Sequence, residues 1–65
     1  MKLYQVFYRS WDKKDSPPKE FVLCRTHFEY MSDALEQKRY YYNYYTKAGI
    51  NIDVKILSQE FKVED

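Results

Sequence analysis

Cysteine and histidine are nearly absent from this sequence, which contains one of each, Cys24 and His27. A single cysteine excludes an intramolecular disulfide and fits a reducing compartment. A zinc site needs several such ligands, and this C-x-x-H spacing lacks the second pair. Three residues apart on a strand, the two side chains point to opposite faces and cannot form a nucleophile–base pair. We therefore expect no metal, no cofactor and no catalytic residue.

The sequence also has little glycine, little net charge and no long apolar run. Gly49 is the sole glycine, which excludes a glycine-rich phosphate-binding loop. Eleven basic residues against ten acidic ones give a net charge of +1, without the basic excess typical of duplex-DNA binders. No run approaches the ~20 apolar residues of a membrane span, and the N-terminus does not resemble a secretory signal. We expect a soluble, cytoplasmic protein that is not an enzyme and does not contact a membrane.

Aromatic residues, by contrast, are abundant: eight Tyr, four Phe and one Trp, or 20% of the chain. The 65 residues suffice for one domain, residues 1–65. A domain of this size buries only ~60% of the surface that its unfolded chain exposes. The aromatic side chains must therefore supply most of a thin core, and self-association would be a further source of stability.

The residue pattern predicts two strands before a helix. Residues 2–11 are rich in aromatic and β-branched types, as are most of residues 20–29, so both segments are predicted strands. The loop between them, residues 12–19, contains the pair Pro17-Pro18, which cannot donate to a sheet. The short connection favours an antiparallel pair.

A helix and a third strand follow. Ser32 and Asp33 are candidate caps for the first turn of a helix that runs through Lys47. Gly49 stands where a left-handed helix ending is expected. The last strand is predicted from strict alternation, with polar residues between Ile50, Ile52, Val54 and Ile56. Residues 58–65 could extend this strand, form a short fourth one, or lie across the surface.

The connections predict the sheet. Strands 2 and 3 are joined through the helix and should be parallel with a right-handed crossover, whereas strand 1 should be antiparallel to strand 2. Strand 1 is apolar on both faces, as expected of a central strand; its large residues are Leu3, Phe7 and Trp11 on one face and Tyr4, Val6 and Tyr8 on the other. The predicted fold is a small α+β domain of order β-β-α-β, with a three-stranded mixed sheet in the order 2-1-3 and one helix on one face.

A single helix leaves the other face of this sheet uncovered. Two interpretations stay open: the 12–19 loop or the C-terminal segment covers that face, or the face is an exposed aromatic surface for homodimerisation or partner binding. The candidate residues are Phe7, Arg9 and Trp11. The same residues support an alternative function, binding of single-stranded nucleic acid, in which bases stack on the rings while cations hold phosphates.

The helix contains a tyrosine cluster, Tyr40 to Tyr45 interrupted by Asn43. A step of ~100° per residue predicts a broad core-facing side, made of Ala34, Leu35, Tyr41, Tyr42, Tyr45 and Ala48. Tyr40 and Tyr44, four residues apart, should stack along another side, next to Lys47. Tyrosine gives a large contact area at low entropic cost, so this pair with its lysine is a candidate binding surface for a protein partner.

In size, single-domain construction and aromatic content, the chain resembles small accessory proteins encoded by bacteriophages and mobile elements. Many such proteins bind and inhibit a host protein. The resemblance implies a viral interaction protein that modulates its partner by covering a site, without a covalent step.

Overall fold

The computed structural model describes residues 2–24 and 27–60. It contains β1 (Lys2–Trp11), β2 (Val22–Leu23), α1 (Met31–Lys47) and β3 (Asn51–Glu60). The strands form one sheet in the order β2-β1-β3, and α1 packs against one face. The predicted α+β fold, its element order and its central strand are therefore confirmed. The sheet is antiparallel rather than mixed, because β1 is antiparallel to both neighbours; β2 and β3 are parallel but not adjacent.

The pairing of β1 with β3 dominates the sheet. Ten consecutive residue pairs join the strands, from Lys2 opposite Glu60 to Trp11 opposite Asn51, without a bulge. At ~3.3 Å per residue this ladder is roughly 33 Å long. Residues 58–60 thus continue the last strand, while the predicted alternatives for residues 61–65 lie outside the described residues.

The second strand is much shorter than predicted. Only Val22 and Leu23 form a ladder with β1, and the amide of Cys24 donates one more bond to the carbonyl of Val6 at 2.8 Å. Phe28 forms a separate bridge with Tyr4, in a register shifted by two residues. This shift interrupts the ladder, so the prediction of one continuous strand over residues 20–29 is wrong.

The core lies between α1 and the sheet and is as thin as expected. Among the described residues, Val6 of β1 and Ala34 of α1 are the fully buried apolar side chains. Alternate residues of β3 lie opposite the helix-facing residues of β1, in the pairs Val6–Ile56, Tyr8–Val54 and Ser10–Ile52. The predicted apolar face of the last strand is therefore its helix-facing side.

The predicted start of α1 is wrong, whereas its predicted end is confirmed. The helix begins at Met31 after an extended Tyr30 that makes no side-chain capping bond, and Ser32 lies inside the first turn, so the predicted cap is wrong. At the other end, Gly49 has φ 75°, and its amide donates to the carbonyl of Thr46 at 3.1 Å. The amide of Ile50 donates to Tyr45 at 3.0 Å. These two bonds form the predicted Schellman ending.

Replacing this glycine should destabilise the domain through the backbone alone. A Cβ at Gly49 would meet no atom within 4 Å, so crowding contributes nothing. The left-handed conformation costs an L-residue roughly 1–2 kcal/mol, and we expect that loss in the free energy of unfolding of Gly49→Ala. Urea titration followed by circular dichroism measures it. Gly49→Asn, which tolerates this conformation better, should lose less; equal losses would contradict the explanation.

Two candidate interaction surfaces

The first surface rests on a stack of tyrosine rings between sheet and helix. The ring of Tyr8, on β1, stacks on Tyr41 and Tyr45 of α1, with centroids 5.1 and 5.9 Å apart. Tyr41 and Tyr45 also stack on each other at 6.3 Å. These three half-buried rings fix the rotation of α1 on the sheet.

Tyr40 and Tyr44 lie on the outside of this stack. Their rings are 63% and 61% exposed, and they stack on each other at 6.3 Å with an interplanar angle of 17°. Each also meets a half-buried ring edge-on, Tyr40 against Tyr41 at 5.8 Å and Tyr44 against Tyr45 at 5.4 Å. The predicted stacking is therefore present, and each exposed ring is supported by a half-buried ring beneath it.

Two open grooves meet at Tyr40. One, of about 220 Å³, runs along the pair and ends at a lysine; it is lined by Tyr40, Asn43, Tyr44 and Lys47. The other, of about 370 Å³, leads toward the helix N-terminus and is lined by Phe28, Asp33, Glu36, Gln37 and Tyr40. The combined groove thus has an aromatic centre, carboxylates at one end and an amine at the other. Spacing along the helix could have indicated Asp33 and Glu36, whereas Phe28 required the fold.

The predicted core-facing side of α1 is too broad. Ala34, Tyr41 and Tyr45 do face the sheet, but Leu35, Tyr42 and Ala48 are exposed. Tyr42 lines a groove with residues 50–52, which places it on the β3 side of the helix. Because β3 is the last strand on that side, the described residues provide no sheet beneath Leu35 and Tyr42.

The second surface is the face of the sheet opposite the helix, centred on Arg9. Its guanidinium bonds the carboxylate of Asp53 on β3 at 2.8 and 2.9 Å and donates to the Pro18 carbonyl at 2.9 Å. The same group lies 4.7 Å from the ring centroid of Phe21 and 5.7 Å from that of Trp11. The 12–19 loop therefore reaches this face at Pro18.

A second cation lies near two rings of this face, one of which also contacts Arg9. The amine of Lys55, on β3, lies 4.1 Å from the ring centroid of Phe21 and 6.0 Å from that of Phe7. Sequence reasoning placed Phe7, Arg9 and Trp11 on one face of β1 but missed Lys55. The register, which sets Lys55 opposite Phe7, was the necessary signal, and it cannot be read from either strand alone.

The six predicted site residues form two groups on opposite sides of the sheet. Tyr40, Tyr44 and Lys47 lie on α1, whereas Phe7, Arg9 and Trp11 lie on the uncovered face. One partner of ordinary size would contact one group or the other. Their roles in binding stay predictions.

Comparisons with protein-family models, with curated proteins and with solved structures found no match to this chain. Within residues 2–24 and 27–60, no helix is long and apolar enough to cross a membrane. In the same residues, no three Cys, His, Asp or Glu side chains group as metal ligands would. The two surfaces are therefore the features of this protein from which a function can be inferred.

The thiol of Cys24 lies next to Tyr41, one ring of the tyrosine stack. Burial raises its pKa from 9.0 to about 11, although a hydrogen bond with Tyr41 acts in the opposite direction. Burial also raises the pKa of Tyr41, with a smaller contribution from Cys24. The native environment thus favours the neutral, unreactive forms of both groups.

Alkylation of Cys24 should accordingly be slow in the folded protein. The raised pKa lowers the thiolate fraction at pH 8 by about 100-fold, and the greater nucleophilicity of a less acidic thiol recovers roughly tenfold of this. We expect iodoacetamide to react about tenfold more slowly than with the chain unfolded in urea. Tyr41→Phe removes the bond that lowers the pKa and should slow the reaction further in folded protein. Equal rates in folded and unfolded chains would contradict the raised pKa.

Proposed function

We propose that this protein is a non-catalytic binding module that holds a protein partner on the Tyr40–Tyr44 pair and modulates it by covering a site. One observation carries the proposal: Tyr40 and Tyr44 form an exposed stack, and each has an edge-on contact with a half-buried ring of the same helix. The contacts between this helix and the core are made by other tyrosines. The rings of Tyr40 and Tyr44 are both more than half exposed, whereas the core residues Val6 and Ala34 are fully buried.

The geometry of the pair suits a binding hot spot. Tyrosine is enriched at such positions because it offers a large, partly apolar surface with few rotatable bonds. Each ring has an edge-on contact with a half-buried ring, which lowers the side-chain freedom that binding must remove. Pre-ordering of this kind strengthens binding without adding contacts.

The charges along the groove indicate the partner's chemistry. Asp33 and Glu36 lie at one end and Lys47 at the other, on either side of the rings. A complementary segment would carry a basic group, an apolar or aromatic centre and an acidic group, in that spatial order. Opposite charges at the rim mainly fix orientation and speed association.

The contacts on the uncovered sheet face favour a protein over single-stranded nucleic acid. Base stacking needs open ring faces, yet Arg9 lies over Phe21 and Trp11, and Lys55 over Phe21 and Phe7. Arg9 is also paired with Asp53, which reduces its attraction for phosphate. Nucleic-acid binding there would require these cations to move.

Capture from a bacterial lysate by tagged protein tests the proposal. A stoichiometric protein band that survives nuclease and moderate salt, and that is lost with Tyr40→Ala/Tyr44→Ala, would support it. Bound material that disappears on nuclease treatment, or that weakens steeply with salt, would replace it with the nucleic-acid function. A band retained by the folded double variant would move the site away from the helix.

A further inference from the structure

The outer edge of β3 is a long, regular strand edge. β3 is the terminal strand of the sheet, and no other strand in the described part of the chain pairs with its outer side. Its ten residues run without a bulge, and the sequence places no proline among them. Bulges, prolines, very short strands and charged side chains are the usual protections of a sheet edge, and of these β3 has only the charged residues Asp53, Lys55 and Glu60. β2, at the opposite edge, has two residues and follows Pro17-Pro18.

The register determines which backbone groups of β3 point outward. Tyr4 exchanges backbone bonds with Phe28 on the β2 side, and the Val6 carbonyl accepts from Cys24 on that side as well. Even-numbered residues of β1 therefore pair toward β2 and odd-numbered ones toward β3. On β3 the odd-numbered partners point inward. The even-numbered residues, Ile52, Val54 and Ile56 among them, direct their amides and carbonyls away from the sheet.

We propose that this edge binds a second copy of the chain, with the two β3 strands antiparallel about a two-fold axis at Val54. Val54 then pairs with its counterpart through two backbone hydrogen bonds, and the sheet becomes six-stranded. On the helix-facing side, Ile52 of each copy lies opposite Ile56 of the other. On the opposite side, Asp53 of each copy lies opposite Lys55 of the other.

Charge selects this register over its two neighbours. An axis at Asp53 would set that carboxylate opposite its own copy, and an axis at Lys55 would do the same with the amine. Only the register centred on Val54, among these three, turns both groups into cross-strand pairs of opposite charge. Such pairs stabilise an antiparallel sheet, whereas like charges directly opposite destabilise it. The sequence of this edge is thus self-complementary.

The helix supports the same partner. Leu35 and Tyr42 are 46% and 53% exposed, and they line a groove of about 360 Å³ on the β3 side with Lys38 and Arg39. The two-fold axis brings the groove of one copy toward the groove of the other, so that Leu35 and Tyr42 of each copy come close to the second copy. Lys38 and Arg39 would approach their own copies, and their long stems let the charges turn to water while limiting the affinity. Tyr40 and Tyr44 lie on the opposite side of α1, so this interface and the proposed partner site can fail independently.

Charge reversal tests the interface through sedimentation equilibrium. Asp53→Lys and Lys55→Asp each replace two attractive pairs between the copies by two repulsive ones, and each should weaken self-association by about tenfold or more. Asp53→Lys also removes the ion pair with Arg9 within each chain, whereas Lys55→Asp leaves that pair in place and is the cleaner variant. The two variants mixed, like the double swap Asp53→Lys/Lys55→Asp, restore opposite charges at both pairs between the copies and should associate again. Circular dichroism checks that each variant is folded. Single variants that associate like wild type, or a folded mixture that stays monomeric, would overturn the proposal.

Amide hydrogen exchange of the wild-type protein gives a test without substitutions. The amides of Ile52, Val54 and Ile56 should become protected as protein concentration rises, whereas those of Asp53 and Lys55, bonded to β1, should be protected throughout. A wild-type chain that stays monomeric at the highest attainable concentration, or outward amides whose exchange does not depend on concentration, would show that the edge does not bind a second copy.

Discussion

Replacing Tyr40 and Tyr44 together by alanine should weaken binding of the captured protein partner by about 100-fold or more, because a hot-spot side chain contributes at least ~2 kcal/mol and each 1.4 kcal/mol is tenfold. The loss should appear mainly as faster dissociation. The fold should persist, since both rings are more than half exposed and the stack of Tyr8, Tyr41 and Tyr45 remains. Isothermal titration calorimetry or surface plasmon resonance measures the change.

Tyr42→Ala is a matched control for this experiment. Tyr42 is 53% exposed, lies on the same helix and changes helix propensity equally, but it faces the β3 side. We expect it to leave partner affinity within about threefold of wild type, as usual for surface substitutions of ±0.5 kcal/mol. Tyr40→Phe/Tyr44→Phe keeps the rings and should lose much less affinity than the alanine pair. A double alanine variant that binds normally would contradict the proposed site.

Tyr8→Ala should remove a large part of the domain's stability at 25 °C. Truncating a fully buried aromatic costs ~3–5 kcal/mol, and the half-buried Tyr8 should fall toward the lower end of that range. At ~0.05–0.15 kcal/mol per residue, a chain this short has a total stability of only roughly 3–10 kcal/mol. Tyr8 is the ring through which β1 contacts both Tyr41 and Tyr45, so its loss also removes the stack that orients the helix. Urea titration followed by circular dichroism and tyrosine fluorescence measures the loss.

Tyr8→Phe separates the ring from its hydroxyl. The phenyl ring preserves the stacking, and the variant loses the hydroxyl that hydrogen-bonds with Tyr45. A net hydrogen bond contributes ~1 kcal/mol, so Tyr8→Phe should remain folded. A Tyr8→Ala variant as stable as Tyr8→Phe would show that the ring stack is not what holds the helix to the sheet.

The sequence predicted those parts of the fold that are determined within a single helix or strand. Two-sided apolarity placed β1 in the centre, and Gly49 marked the helix end, because each signal reports a requirement of its own segment. The length of β2 depended instead on a register shift between Leu23 and Phe28, which a strand-like composition does not reveal. The helix start likewise preceded its best capping residues, Ser32 and Asp33.

The same distinction applies to the surfaces. A spacing of four residues was enough to predict the stacked Tyr40–Tyr44 pair. Contact of the 12–19 loop with the opposite face was one of two open interpretations, but the side-chain contacts there were not predictable, because Phe21, Arg9 and Lys55 come together from three different strands or their flanks. Tyr42 is exposed because the sheet ends at β3, and helical periodicity carries no information about the width of the sheet.

The long ladder between β1 and β3 also governs when this protein can fold as it is made. β1 leaves the ribosome before the other three elements, yet its main pairing strand, β3, follows them all, and the ten pairs join residues up to 58 positions apart. Before the helix and β3 appear, the pairing that the described residues offer to β1 is limited to the two-residue β2, Cys24 and Phe28. Contacts of such long range form late and slowly. The nascent chain therefore exposes an aromatic strand until synthesis reaches β3, and during that interval chaperones that recognise apolar segments have their best access to it.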